Sequence, residues 1–262
     1  MSATVIVVGA GPVGLITALG LAQAGIHVEG IDRDVEVGTS PRAIAHWFML
    51  LPEFEKLGVL DEMVTAGYTG TSLNYVDFET KEIITHDLSP LEGRVTYPYN
   101  FLLGQHRVSA ILLERLATYS NVSIRLATNV ISVGQDLRGV ELVVESESGP
   151  EVLTADWLVG ADGATHAGAY DIAYIRCIER LISTNIKYDF IGAGYGDSNF
   201  VLHPTYGALI ANIEGDLWRC TYVDGTADDL DDETIVTRMR EWMQVALPGA
   251  SKEFELVQHS PY

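Results

Sequence analysis

Cysteine is nearly absent: Cys177 and Cys220 are the only two in 262 residues, and neither stands in a CxxC or beside a histidine. That excludes a disulfide framework and a cysteine-based zinc site, and it fits a reducing, cytoplasmic compartment. Both thiols read as buried or incidental. Basic residues are scarce too, with 16 Lys and Arg against 36 Asp and Glu and a formal charge of −20. So acidic a chain, with no compensating basic stripe, repels phosphate backbones, which removes nucleic acid and anionic membranes as expected partners. An anionic cofactor stays possible, because backbone N–H groups and a helix N-terminus hold phosphate without help from net charge. There is no internal repeat and no low-complexity linker.

Only one long uncharged run occurs, residues 5–26, long enough to span a bilayer. It contains five glycines, Pro12 and Gln23, and no basic residue precedes it, so a strand, a turn and a helix explain it better than a membrane segment or a secretory signal. Apolar residues at 47% and charged residues at 20% are ordinary for a globular chain and argue against disorder. The length suffices for one large core or two modest ones.

Within that run, Thr4–Val8 is a β-branched stretch ending at glycine, the pattern of a buried strand. Residues 12–24 suit a helix packed closely on a sheet, with Gly25 in the left-handed cap position. His27–Ile31 reads as a second strand, closed by Asp32. Gly9-Ala-Gly11-Pro-Val-Gly14 therefore meets the GxGxxG fingerprint in its required setting, between a strand and a helix. The first glycine allows the tight turn, the second lets the backbone approach a pyrophosphate, and the third lets helix and strand pack closely. Asp32 lies where a carboxylate accepts hydrogen bonds from the adenosine ribose hydroxyls. Dinucleotide binding follows. The fingerprint does not choose between NAD and FAD.

Further along, the pattern predicts a helix over 43–60 with a stop at Gly58, strands within 72–86, and a helix over 107–119. Strands are expected at 122–125, 140–144 and 157–159, the last running into Gly160-Ala-Asp-Gly163. Beyond Ile182 the alternation becomes antiparallel in character at 185–191, 208–213 and 217–223. The acidic run 228–233 reads as the solvated start of a helix over 234–245, since carboxylates gather at helix N-termini, and not as a metal site.

Three features come in the order found in the para-hydroxybenzoate hydroxylase-like, or group A, flavin monooxygenases, which this chain resembles. Ile31-Asp-Arg-Asp34 with Ser40-Pro-Arg-Ala43 resembles the family's passage from the second strand to an arginine-led helix beside the flavin. Leu103-Gly-Gln105-His-Arg107 opens the next helix, where the family often has a cofactor-contacting glutamine. Leu158-Val-Gly-Ala-Asp-Gly163 is similar to the family's second fingerprint, which is linked to NAD(P)H use. Asn185-Ile-Lys-Tyr-Asp-Phe190 and Leu217-Trp-Arg-Cys-Thr-Tyr222 look like strands of its substrate-domain sheet.

The resemblance implies an α/β fold: a Rossmann-type FAD-binding domain (1–71 and 102–180) with an interleaved, mostly antiparallel β-sheet substrate domain (72–101 and 181–262). It implies that Gly9, Gly11, Gly14 and Asp32 hold the ADP half of FAD, with Arg33 beside them. Arg42 would lie near pyrophosphate and flavin, Gln105 would touch the cofactor, and Asp162 would lie over the pyrophosphate. It implies hydroxylation of a small phenolic or aromatic substrate with NAD(P)H as co-substrate and O2, oligomeric state unassigned. Tyr75, Tyr188 and His203 are candidates to line the ring pocket, though aromatics on sheets are more often plain core. No residue is nominated as a catalytic base.

Past Gly163 the pattern departs from the family: His166 and Ala169 stand where a small polar residue and an arginine are expected, and 168–180 is unlike the usual continuation. The family's third motif, Gly-Asp followed by small residues and glycines, is not found; Gly215-Asp216 has the dipeptide within a turn. The expectation is that this FAD half-site is missing and that turnover by this chain alone suffers. Two other readings stay open: a nucleotide-binding chain without catalysis, and a different Rossmann oxidoreductase using NAD(P). A disulfide reductase of related fold is excluded by the lack of CxxC.

Overall fold

A computed structural model describes residues 3–38, 43–163, 180–224 and 231–261. The opening unit forms as its pattern requires: β1 (Thr4–Val8), α1 (Pro12–Gln23) and β2 (His27–Ile31), with Gly25 at φ +77° after the helix. In place of one helix over 43–60 come β3 (Ala45–His46), a 3₁₀ turn, α2 (Leu51–Lys56) and α3 (Leu60–Ala66). Two residues explain the break. Pro52 is tolerated in a first helical turn, where its missing N–H costs nothing, but not further inside. Gly58 at φ +69° ends α2, the Val59 N–H donating back to the Phe54 carbonyl, and Asp61 and Glu62 open the next helix.

The chain continues through β4 (Tyr68–Gly70), β5 (Ser72–Asp77), β6 (Ile83–Asp87), β7 (Asn100–Leu102) and α4 (Gln105–Leu116). Then come β8 (Val122–Arg125), β9 (Asn129–Asp136), β10 (Gly139–Ser146), β11 (Gly149–Ala155) and β12 (Trp157–Gly160). The last elements are β13 (Arg180–Lys187), β14 (Ser198–Leu202), β15 (Ala208–Glu214), β16 (Leu217–Asp224), α5 (Asp232–Ala246) and β17 (Glu255–Pro261). β13 stops before 191 because Tyr188 onward turns away: the Asp189 carboxylate accepts the Gly192 N–H at 2.7 Å, and Gly194 sits at φ +90°. Asp231 caps α5 through the Thr234 N–H at 2.8 Å, as the acidic run predicts; the rest of that run, 228–230, lies outside the described residues. No described helix is long and apolar enough to cross a membrane.

The chain divides into two compact units. The first comprises Met1–Ala43, Glu53–Ala66 and Gly104–Tyr174. Its centre is a fully parallel sheet in the order β12-β1-β2-β8. Helix α1 lies along β1 and β2 and packs on α4. Ile6 and Ile31 join Val130, Leu142, Val144 and Leu153 of the antiparallel meander β9-β10-β11 in a second core layer. Burying both faces of the sheet is what its apolar, non-alternating strands demand.

The second unit comprises Ile44–Pro52, Gly67–Leu103 and Ile175–Tyr262. It holds a seven-stranded sheet in the order β17-β13-β16-β15-β14-β5-β6, antiparallel except for the β14–β5 pair. Ile182, Ile186, Ile210, Trp218, Cys220 and Tyr222 face α5, whose Ile235, Met239 and Met243 complete the core. A smaller sheet, β3-β7-β4, belongs to the same unit.

Candidate functional site

The fingerprint turn sits at the C-terminal ends of β1 and β2. Gly9 adopts φ +106° and its N–H donates to the Ile31 carbonyl at 2.7 Å. A Cβ on Gly9 would stand 2.2 Å from the Ala161 carbonyl oxygen, and one on Gly14 would stand 1.8 Å from that of Gly9. Both glycines are therefore required by the protein's own packing. Gly11 is different. Its backbone (φ −74°, ψ 178°) suits any residue, and among the described residues nothing lies within 4 Å of a Cβ built there. Among the described residues the space beside it is open. Among the described residues no side chain caps α1, which begins directly after Gly11 with Pro12; proline has no N–H, so the Gly11, Val13 and Gly14 amides remain as donors for an anion.

Asp32, half-buried, faces this turn: Oδ2 accepts the Ala10 N–H at 2.5 Å and Oδ1 accepts the Asp34 N–H at 2.9 Å. Its backbone is held on both sides, the N–H donating to the Arg125 carbonyl at 2.9 Å and the carbonyl accepting the Thr128 N–H at 2.8 Å. The four fingerprint positions thus form one constellation. Its chemistry is that of an anion cradle with a carboxylate at its rim.

The other candidates are less concentrated. Arg33 is exposed and pairs with Asp34 at 3.9 Å. Gln105 is the first residue of α4; its N–H donates to the Ala43 carbonyl at 2.9 Å, and its side-chain amide makes no hydrogen bond among the described residues. Asp162 follows Ala161, whose N–H donates to the Val8 carbonyl at 2.7 Å, so the second fingerprint is tied to the end of β1 next to the glycine turn. Gly163 takes φ +79°. Arg42, His166 and Ala169 lie outside the described residues.

In the second unit the three proposed pocket aromatics do not converge. Tyr188 donates its hydroxyl to the Ser251 carbonyl at 2.8 Å and packs edge-on against Phe190. It also borders an open cavity of about 460 Å³ with Lys187, Asp189, Ile191 and Trp218. His203 sits in the β14–β15 turn, where its Nδ1 accepts the Thr205 and Tyr206 N–H groups at 3.0 and 2.9 Å and its Nε2 meets Glu79 at 3.1 Å. Tyr75 stacks on Phe200 at 5.6 Å, on the sheet face away from α5.

Sequence reading missed what else that face holds. Arg219, 4% exposed, donates Nε to the Asn185 side-chain oxygen at 2.7 Å, and the Asn185 amide donates to Gln258 at 3.0 Å. Beside them Ser183 and Thr221 share a hydrogen bond at 2.7 Å. The signal was present as period-2 alternation in Leu217-Trp-Arg-Cys-Thr-Tyr222, where the residues between the core positions are polar. Such a buried polar ladder is costly unless paired, and it lies on the same sheet face as the aromatic pair, separated from it by β15. On the small sheet, burial holds the His46 imidazole below its ordinary pKa, partly offset by its bond to the Leu103 carbonyl at 3.1 Å.

Comparison with known proteins bears on this geometry. The FAD binding domain family matches residues 2–172. Across its whole length the chain is 37% identical to 6-hydroxy-3-succinoylpyridine 3-monooxygenase HspB of Pseudomonas putida (strain DSM 28022 / S16), covering 67% of that protein. Over 94% of its length it is 35% identical to para-nitrophenol 4-monooxygenase of Pseudomonas sp. (strain WBC-3), covering 62% of it. The crystal structure of p-nitrophenol 4-monooxygenase PnpA from Pseudomonas putida DLL-E4 superposes on the whole chain with a TM-score of 0.93 at 31% identity, 68% of that chain being covered. The chain therefore spans about two thirds of the length of these relatives. It belongs to the FAD-dependent aromatic monooxygenase family and carries that family's FAD binding domain.

Proposed function

We propose that this chain is an FAD-dependent monooxygenase that hydroxylates a phenolic or related aromatic ring with NAD(P)H and O2, in a reducing, cytoplasmic setting. The observation that carries the reading is the cradle at Gly11, where the protein leaves space its own packing does not require, within a chain whose whole length matches such enzymes. The first unit binds the cofactor. Gly9 and Gly14 shape the turn, Gly11 and the first-turn amides of α1 receive the pyrophosphate, and Asp32 accepts the ribose hydroxyls. Arg33, Arg42, Gln105 and Asp162 contribute to the same cofactor's surroundings.

FAD held there would supply the oxygen-transfer chemistry, with NAD(P)H as the reductant and O2 as the source of the oxygen atom. What the protein supplies is binding, orientation and exclusion of water. The second unit orients the ring on the sheet face carrying Tyr75, Phe200, Asn185, Arg219 and Thr221. There the aromatic pair offers a flat apolar contact and the ladder offers hydrogen bonds.

The test is direct. The purified chain is titrated with FAD and then assayed for NAD(P)H oxidation stimulated by a panel of phenols, with hydroxylated product measured. Stoichiometric FAD binding with product formation supports the reading. Binding without product on any phenol supports a nucleotide-binding role without catalysis, and tight NAD(P) binding with no flavin affinity supports the other Rossmann reading.

A further inference from the structure

We propose that Asp32 is a positioning residue for the glycine turn: through the Ala10 amide it holds the turn in its phosphate-receiving shape, independently of any bond to a sugar. The inference rests on the reading that this turn takes the ADP half of FAD, and it deepens that reading.

The Gly9 N–H is spent on the Ile31 carbonyl at 2.7 Å, and the Ala10 N–H on Asp32 Oδ2 at 2.5 Å. Two successive donors of the turn are thereby tied to the end of β2. Among the described residues the Gly11, Val13 and Gly14 amides are left as the donors for an anion, Pro12 having none.

Ala10 is only 4% exposed, and the Asp32 carboxylate is the acceptor its N–H has among the described residues. Without that carboxylate a nearly buried donor is left unpaired, and the turn must move to find water. A charged acceptor makes the shorter and stronger kind of bond, which suits a clamp.

The clamp itself cannot drift. Asp32 is anchored through its own N–H and carbonyl to Arg125 and Thr128, and its second carboxylate oxygen is fixed by the Asp34 N–H. A carboxylate offers about four acceptor positions, of which the two amides use half. The rest stay available to ribose hydroxyls, so both roles fit one side chain.

Two ligands separate the roles: ADP, and 2′,3′-dideoxy-ADP, which keeps the phosphates and lacks the hydroxyls. Both are titrated into the wild-type chain, Asp32→Ala and Asp32→Asn, and exchange of the Ala10 amide is followed without ligand. We expect Asp32→Ala to weaken dideoxy-ADP by at least about tenfold, the loss of one charge-assisted bond. Asp32→Asn, which keeps an acceptor for Ala10, should retain most of that affinity.

In the ligand-free wild type the Ala10 amide should be protected although it lies in a turn, a reading that needs no variant to fold. The proposal is overturned if Asp32→Ala weakens ADP but leaves dideoxy-ADP unchanged, or if the wild-type Ala10 amide exchanges like an open loop. Failure of the cradle reading is recognisable separately, as a wild-type chain that binds neither ADP nor FAD, and it overturns the positioning role with it.

Discussion

Replacing Gly11 and Gly14 by alanine, one at a time, separates a glycine kept for a ligand from a glycine kept for the fold. A Cβ at position 14 would lie 1.8 Å from the Gly9 carbonyl oxygen, whereas real Cβ contacts essentially never fall under 3.0 Å. Helix α1 and the turn must therefore separate by more than an ångström, and the obstructing atom is backbone, with no rotamer to change. Overpacking a well-packed interior by a methylene costs about 1–3 kcal/mol, so Gly14→Ala should lose roughly 3 kcal/mol or more of unit stability.

At position 11 the backbone already suits alanine and nothing among the described residues lies within 4 Å. Gly11→Ala should therefore leave stability unchanged or raise it by about 0.4–1 kcal/mol, through the loss of unfolded-state freedom. Its effect should appear in binding. A methyl in the cradle displaces the pyrophosphate from at least one amide, and a hydrogen bond to a charged group is worth about 1.5–3 kcal/mol, roughly tenfold to a hundredfold in affinity. Urea unfolding measures the first quantity and quenching of flavin fluorescence on FAD titration the second. The reasoning is refuted if Gly11→Ala binds FAD like the wild type, or if it loses stability as Gly14→Ala does.

Other expectations follow from the second unit. Asn199 is fully buried and bridges Gly196, Ile210 and Asn74, so Asn199→Ala, which strands several partners, should lower the urea-unfolding free energy by about 3 kcal/mol. The Thr234 N–H holds the Asp231 carboxyl below the usual carboxylate range, so its cap is fully effective above about pH 4 and lost as pH falls through the lower folded value. Asp231→Ala should therefore lower the urea midpoint at neutral pH, with the gap to wild type closing in acid. Burial pushes the Cys220 thiol well above its ordinary range; in a Cys177→Ser background it should resist a thiol reagent until the protein unfolds, and rapid labelling of the native chain would contradict its placement in the α5 core.

Much of the first unit was legible because it depends on short-range rules. Strand, glycine turn, helix and acid within about thirty residues specify one local geometry, and the structure places Gly9, Gly11, Gly14 and Asp32 together. Legibility failed where tertiary partners decide. β9 is exposed along most of its length and β14 is five residues long, so neither carries a strong periodic signal; each exists because a neighbour supplies its hydrogen bonds. The same holds for residues 43–60, where helix-favouring composition is overridden by pairing of Ala45–His46 with β7 and by Pro52 and Gly58. Residue type and strand position make Tyr188 and His203 candidates for a pocket, but do not reveal their hydrogen-bond partners, the Ser251 carbonyl and the Thr205 N–H, which lie in stretches far off in sequence or irregular in pattern.

By itself the sequence determined that a dinucleotide fits against β1 and α1, since that requirement is written in residues close along the chain. The fingerprint already set the second glycine apart from the other two; what only three dimensions decided is which atoms stand where a Cβ would go, the Ala161 carbonyl at Gly9 and the Gly9 carbonyl at Gly14. Tertiary structure likewise assembled Tyr75, Asn185, Phe200 and Arg219 on one sheet face, because strand order and register, not distance in sequence, set which side chains become neighbours.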